Sequence, residues 1–196
     1  MRNVTQWFFG TLVLVVLVGV PVKYMNHRWT HYRNFRVVED GKLYRSAQLS
    51  PEGLQRIVSE YGITTVISLR YSDRDEGAPQ DAWEESWCKA QGMDYHRIRP
   101  RAWSGPEETV PAEQTIREFL KAIDEAKGPV LIHCFAGIHR TGAMCALYRM
   151  EYQGWSNEDA MREMQLIGYD RLDREQDVRD FLTNYRTRSM VGASEK

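Results

Sequence analysis

The residues with the clearest chemical potential are Cys134 and Arg140, which stand six positions apart. Their segment predicts a strand over residues 130–132, a glycine-containing loop and then a helix from about residue 141. A loop that leads into a helix N-terminus directs backbone N–H groups inward and forms a cradle for an anion such as phosphate. The residues predicted to line this cradle are Phe135, Ala136, Gly137, Ile138, His139 and Arg140.

Three side chains of this segment suit phosphate chemistry. The amides of the cradle favour the thiolate of Cys134, which is the nucleophilic form. Arg140 presents a planar fork that holds two phosphate oxygens at once. Thr141 is able to donate a hydroxyl hydrogen bond to the sulfur. Phosphoryl transfer requires mainly positioning and charge stabilisation, so the segment predicts attack of the thiolate on phosphorus with no metal and no other cofactor.

The sequence His133-Cys134-x5-Arg140-Thr141-Gly142 resembles the signature of the cysteine-based protein tyrosine and dual-specificity phosphatases. The segments 44–48 and 65–70 are similar to the first part of compact atypical dual-specificity phosphatases of bacterial and fungal type. The resemblance covers about residues 37–185. It implies that Cys134 is the nucleophile, that Arg140 is the phosphate clamp and that His133 supports the thiolate.

The general acid departs from the family pattern. Members of the family take an Asp from a loop before the nucleophile to protonate the leaving oxygen, but the corresponding loop here has no Asp. We expect Glu108 to serve instead, with Glu107 as its alternative, although both also fit a solvated first helical turn. Asp73 or Asp75 from the preceding loop, or no acid at all, are the other possibilities.

The elements that position these residues alternate between strands and helices, which predicts an α/β fold with a central, mainly parallel sheet flanked by helices. In such folds sites lie where strands end and helices begin. The predicted elements are a hairpin of two edge strands around Asp40-Gly41, a helix over 50–61, a strand over 64–69, a helix over 82–91, a strand over 95–98, a helix from 111 to near 128, a strand over 130–132, and helices over 141–153, from 156, and over 174–185.

The first residues form an apolar run of 16 residues from Trp7 to Val22, followed by basic residues. The run predicts one transmembrane helix over about residues 7–25, and no small-residue cleavage site follows it. Basic residues after the span place the C-terminal domain in the cytoplasm by the positive-inside rule. The predicted organisation is therefore a membrane anchor and basic stalk over 1–36, a phosphatase domain over 37–186 and a tail over 187–196.

Composition narrows the function classes. The formal net charge is −1, from 26 Lys and Arg against 27 Asp and Glu, which argues against nucleic acid as a partner. Cys88, Cys134 and Cys145 are an odd number of cysteines without a C-x-x-C pair, which argues against a disulfide framework. His133, His139 and His96 offer a minor alternative as metal ligands.

We expect a single-pass membrane phosphatase that acts on phosphate monoesters of phosphorylated proteins. Arg97, Arg99 and Arg101 approach the site beside His96 and offer a dock for a second phosphate, so the first alternative is a lipid or inositol-phosphate substrate. Surface ion pairs are the other interpretation of these arginines. The second alternative is a phosphate-binding module that lacks the general acid and does not turn over.

Overall fold

The computed structural model describes residues 7, 13, 15–71, 81–106 and 109–194. Its centre is a five-stranded sheet with the spatial order β1-β2-β5-β3-β4. The strands β1 and β2 are antiparallel, and the other three pairings are parallel. The strand bounds are β1 (Arg36–Glu39), β2 (Leu43–Ser46), β3 (Thr65–Ser68), β4 (Asp94–Arg97) and β5 (Val130–His133).

Local signals define the helices that surround the sheet. The Ser50 hydroxyl accepts a hydrogen bond of 3.1 Å from the Gly53 amide and starts α2, and Gly62, with φ of 62°, ends it. Ser156 starts α6 in the same way. The helix bounds are α1 (Val20–His31), α2 (Pro51–Tyr61), α3 (Ala82–Ala90), α4 (Ala112–Glu125), α5 (His139–Gln153), α6 (Asn157–Leu166), α7 (Gln176–Asn184) and α8 (Arg188–Ser194).

The two faces of the sheet are covered by different helices. On one face, α4 to α7 pack on alternate strand residues that include Val130 and Ile132. On the other face, α2 and α3 pack on the residues between them, such as Leu131. All four residues of β5 are buried, as expected for a parallel strand covered on both sides. The result is a mixed α/β fold in which β5 is the central strand.

The predicted hairpin forms around Gly41, but only one of its strands lies at an edge. β1 is the edge strand, whereas β2 pairs in parallel with β5 on its other side. The prediction of two edge strands was wrong because a hairpin signal is local and does not specify the outer neighbour of its second strand. All four residues of β2 are buried, Arg45 among them.

The transmembrane helix predicted over about residues 7–25 is wrong. Among the residues that the structure describes, no helix is long and apolar enough to cross a membrane. A π-helical turn at Val15–Gly19 leads into α1, whose 12 residues rise about 18 Å against a hydrocarbon core of roughly 30 Å, and Lys23 lies near its start. Residues 1–6, 8–12 and 14 lie outside the described residues.

The predicted localisation depended on that helix and is corrected with it. The prediction treats the apolar run as one continuous helix, but α1 uses only its last residues and continues into polar sequence. Membrane attachment as a partner interaction, and the cytoplasmic orientation inferred from the flanking basic residues, therefore lose their basis.

The parallel register brings three strand ends together. Ser46 of β2 and Ser68 of β3 are both aligned with His133 of β5. The backbone N–H of Leu69 donates to the His133 carbonyl at 2.8 Å, just past the end of the two strands. Cys134 follows directly, so the segment from Cys134 to Arg140 starts at the carboxyl edge of the sheet, the place where sites form in this class of fold.

Candidate active site

The segment between β5 and α5, residues 134–140, is called the phosphate loop below. Three of its consecutive carbonyls are bonded to other segments. The backbone N–H of Gln48 donates to the Phe135 carbonyl at 3.2 Å. The Asn34 side-chain amide donates to the Ala136 carbonyl at 2.8 Å, and Arg45 Nη2 donates to the Gly137 carbonyl at 2.8 Å. Carbonyls that are held outward leave the backbone N–H groups of the loop free to turn inward.

Gly137 is required by the close approach of the loop to β2. Its φ is 69°, in the left-handed region, and a Cβ atom there would lie 2.5 Å from the Ala47 nitrogen and 2.5 Å from the Ser46 oxygen. Both neighbours are backbone atoms, which do not move aside easily. A side chain at this position would therefore push the loop away from the strand that supports it.

Cys134 is the first residue of this loop and is 5% exposed. The Gly137 amide donates to its Sγ at 3.2 Å. Burial by itself raises the pKa of the Cys134 thiol, but hydrogen bonds from the Thr141 hydroxyl and from the amides of Thr141, Gly137 and Ile138 outweigh burial and lower the pKa. These contacts favour the thiolate form of the sulfur.

Thr141 stands in the first turn of α5 and is fully buried. Its hydroxyl oxygen has no hydrogen-bond partner of good geometry among the described residues. The same hydroxyl nevertheless contributes to the lowered pKa of the Cys134 thiol. The structure thus places Thr141 next to Cys134.

His133 is buried beside a carboxylate that the sequence did not indicate. Its Nε2 lies 2.9 Å from Glu84 Oε2, and both side chains are 1% exposed. The contact is an ion pair without a linear N–H···O alignment. Burial lowers the pKa of His133, but the charge of Glu84 and the contact with it raise the pKa above its ordinary value. A protonated imidazole next to Cys134 favours the thiolate.

A second buried carboxylate, Asp81, anchors the start of α3. It accepts a hydrogen bond of 2.8 Å from the Ser68 hydroxyl and forms a salt bridge with Arg97. Burial raises the pKa of Asp81, but the hydrogen bonds from Arg97 and Ser68 lower it further than burial raises it. Arg97 also pairs with Glu85 at 3.1 Å. Arg97 is thus a structural ion-pair partner rather than an open anion dock.

Arg140 closes the loop and reaches the edge of a cavity of about 180 Å³. Its Nη1 donates to the Leu69 carbonyl at 3.4 Å. Arg101 also lines this cavity and pairs with Glu118 at 3.3 Å. Of the arginines predicted to dock a second phosphate, Arg97 and Arg101 are therefore both matched with acids, which favours the interpretation of the pair as surface ion-pair residues.

The remaining predicted loop residues surround the rim. The side chain of Phe135 is 57% exposed. The ring of His139 packs edge-on against Tyr169, with 4.7 Å between centroids, so it faces a helix-connecting segment. Gly168 approaches Ile138 in the same region. Within the described chain no group of three His, Cys, Asp or Glu side chains is close enough to hold a metal ion.

The predicted general acid, Glu108, lies outside the described residues, together with Glu107, Asp73 and Asp75. The residues that sequence reasoning missed are Asn34, Arg45, Gln48 and Glu84, which support the loop from distant segments. Arg45 had a signal in the sequence, because the Tyr44-Arg45-Ser46 motif belonged to the resemblance. Asn34 carries no local signal for its contact with Ala136, about 100 positions away. Glu84 carries none for its contact with His133, about 50 positions away.

Comparison with known proteins identifies the family of the chain. A family model described as a DSP-PTPase phosphatase fused to NAD+ kinase matches residues 27–180. The chain belongs to this family of dual-specificity phosphatases. The resemblance carried by the signature from His133 to Gly142 is thereby confirmed.

Individual relatives match parts of the chain. TpbA from Pseudomonas aeruginosa, a dual specificity protein phosphatase, is 46% identical over 56 residues, which are 29% of this chain and 24% of TpbA. Mouse CDC14B, also a dual specificity protein phosphatase, is 30% identical over 105 residues, which are 54% of this chain and 19% of CDC14B. The chain thus spans a quarter or less of the length of these relatives.

Two solved structures share the fold. Crystalline P. aeruginosa TpbA in complex with pTyr has a TM-score of 0.56 and 25% identity, over 78% of this chain and 85% of that chain. The core catalytic domain of the PP-IP phosphatase SIW14 from S. cerevisiae, in complex with citrate, has a TM-score of 0.56 and 25% identity, over 79% of this chain and 86% of that chain.

Substitution of the two loop-region glycines is expected to have opposite effects on stability. Gly137→Ala forces a Cβ into the backbone of β2 at positive φ and lowers the free energy of unfolding by about 2 kcal/mol or more. Gly142→Ala is the matched control, because the nearest atoms outside its own helix would lie 3.7 Å from the added Cβ and Ala favours a helix by about 1 kcal/mol relative to Gly. Urea denaturation followed by circular dichroism measures both. Equal stability of the two variants would contradict this account of the loop.

Alkylation by iodoacetamide is expected to select Cys134 near neutral pH. Burial raises the pKa of Cys145, and it raises the pKa of Cys88 to about 12, so both stay protonated. The rate plotted against pH should have its midpoint below that of a free thiol, and Thr141→Val should move the midpoint upward. Mass spectrometry of the labelled peptides identifies the site. Fast labelling that persists in Cys134→Ser would contradict the assignment.

Proposed function

We propose that the protein hydrolyses phosphate monoesters, phosphotyrosine in proteins foremost, through a phosphocysteine on Cys134. One observation carries this proposal: the buried Cys134 sulfur accepts a hydrogen bond of 3.2 Å from the Gly137 amide of a loop that other segments hold in place. The Thr141 hydroxyl and the loop amides lower the pKa of this thiol. A cysteine that served only as a small buried hydrophobe would have its pKa raised, as Cys88 and Cys145 do.

The reaction proceeds in two displacements at phosphorus. The Cys134 thiolate attacks, an S–P bond forms, the P–O bond to the leaving group breaks, and the leaving oxygen takes a proton from the general acid. Water then attacks the phosphocysteine and gives a proton to the conjugate base of the general acid, the S–P bond breaks, and inorganic phosphate and the Cys134 thiolate are released. The loop amides and Arg140 stabilise the charge on the phosphoryl oxygens. Thr141 stabilises the sulfur as a leaving group, and His133 supports the thiolate.

The substrate class rests on the relatives. The pTyr complex of TpbA supports a phosphotyrosyl substrate. TpbA is named a dual specificity protein phosphatase, which supports phosphoserine and phosphothreonine as well. SIW14 is described as a PP-IP phosphatase, which supports an inositol-phosphate substrate as the second candidate. The pairing of Arg97 and Arg101 with acids removes part of the positive charge that such a substrate would use.

Phosphate release from an aryl phosphate tests the proposal. Wild type should turn over, and Cys134→Ser should lose turnover by at least about 10³-fold, because it removes the nucleophile. Malachite green detection of released phosphate gives the rates, and circular dichroism verifies that both proteins are folded. A folded wild type that binds a phosphotyrosyl peptide without releasing phosphate would instead favour the binding-module alternative.

We propose Glu108 as the general acid, and a pair of variants tests it. Glu108→Gln should lower turnover of phosphoserine by about 10²-fold but have a smaller effect on aryl phosphate, whose leaving group needs less protonation. Glu107→Gln is the neighbouring control and should change neither rate much. A loss in Glu107→Gln instead assigns the role to that residue, and no loss in either variant excludes both glutamates.

A further inference from the structure

A second cavity lies directly beside the phosphate loop. It has a volume of about 490 Å³ and is lined by the segment 32–36 on one side and by Ala136 and Ile138 of the loop on the other. We call it the side cavity. Asn34 fixes its position relative to the loop, because its side-chain amide donates to the Ala136 carbonyl at 2.8 Å. The proposed catalytic centre and the side cavity therefore share a wall.

The side cavity carries two arginines that form no ion pair within the described chain, and the carboxylate beside its wall, Glu60, accepts a hydrogen bond of 3.0 Å from the Tyr32 hydroxyl. Arg33 and Arg36 both line it, and neither has a carboxylate within ion-pair distance among the described residues. Other arginines of the same chain are matched with acids: Arg97, Arg101, Arg149, Arg162 and Arg188. Since the whole chain has a net charge of −1, this positive charge is a local feature.

Phe135 connects the side cavity with the mouth of the site. The Arg33 guanidinium lies 4.8 Å from the centre of the Phe135 ring, and the Arg70 guanidinium lies 5.3 Å from it. Both contacts are within the range of a cation–π interaction. An exposed ring between two arginines at the loop entrance provides a surface on which a flat group of the substrate would rest.

We infer that the side cavity is a second anion subsite, which binds the carboxylate of an acidic residue next to the phosphotyrosine of a peptide substrate. The inference rests on the proposed function and specifies its substrate. Consecutive residues of a chain are about 3.8 Å apart, so the side chain of a residue one or two positions from the phosphotyrosine reaches the neighbouring wall of the loop. Arg33 and Arg36 then pair with its carboxylate.

The lining favours an amino-acid side chain over an inositol polyphosphate. Tyr32 and Phe35 contribute aromatic surface to the cavity next to the two arginines. A Glu or Asp side chain has an apolar stem and a single charged end, which suits a lining of this mixed kind. A ring that carries phosphates on every side would place some of them against the aromatic surface, where they lose hydration without a positive partner.

The experiment compares two phosphotyrosyl peptides that differ only in residues next to the phosphotyrosine, Glu in one and Gln in the other. For each protein, kcat/KM on each peptide is divided by kcat/KM on phenyl phosphate, a substrate that has no second anion. For wild type the Glu peptide should be preferred by about fivefold, as expected for an exposed charge pair. The double variant Arg33→Gln with Arg36→Gln should abolish the preference, and added salt should weaken it.

The matched control is Arg162→Gln with Arg179→Gln, which removes two exposed arginines from α6 and α7 and should keep the wild-type preference. A wild-type ratio near one, or a preference that survives in the Arg33 and Arg36 variant, overturns the subsite while the phenyl phosphate rate still supports the phosphatase. An arginine-dependent gain only with an inositol polyphosphate also overturns it. No hydrolysis of phenyl phosphate by wild type would reject the proposed function itself.

Discussion

The phosphate loop depends on hydrogen bonds that hold its carbonyls away from the sulfur. A seven-residue loop has no regular ladder of its own, so its peptide groups take the orientation that their outside partners impose. Asn34, Arg45 and the Gln48 amide supply these partners from the segments around β1 and β2. The loop therefore acquires its shape only when the first strands are in place beside β5. The register of the sheet thus contributes to the lowered pKa of Cys134.

Buried charges near the loop follow one arrangement. Glu84 is matched with His133, and Asp81 with Arg97, so each carboxylate taken out of water has a positive partner. Arg45 is also buried, at 2% exposure, but its Nη2 donates to a backbone carbonyl, that of Gly137, and not to a carboxylate. A cation held under the loop adds a field that favours an anion above it. The loop thus combines oriented amides with a fixed positive charge.

The sequence predicted what local patterns encode. The Ser50 cap, the Gly62 stop and the strand that leads to Cys134 are short-range signals, and each is found within a few residues of its predicted place. The position of β2 inside the sheet and the contact of Glu84 with His133 are long-range pairings, which no local pattern specifies. The apolar run at the start was misinterpreted for a related reason: hydropathy reports an average over a window, whereas a span requires one continuous helix of sufficient length.

The segment before β1 links specificity to reactivity. Its Asn34 holds the Ala136 carbonyl, and its neighbour Arg33 lines the side cavity and covers Phe135. A substrate carboxylate that pairs with Arg33 would also fix the segment that orients the loop, so binding energy from a flanking residue would be used in part to position the amides around the phosphoryl group. Such an effect would raise kcat as well as lower KM. The pairing with Arg33 would bind the substrate and would also hold the loop in the geometry that the transition state requires.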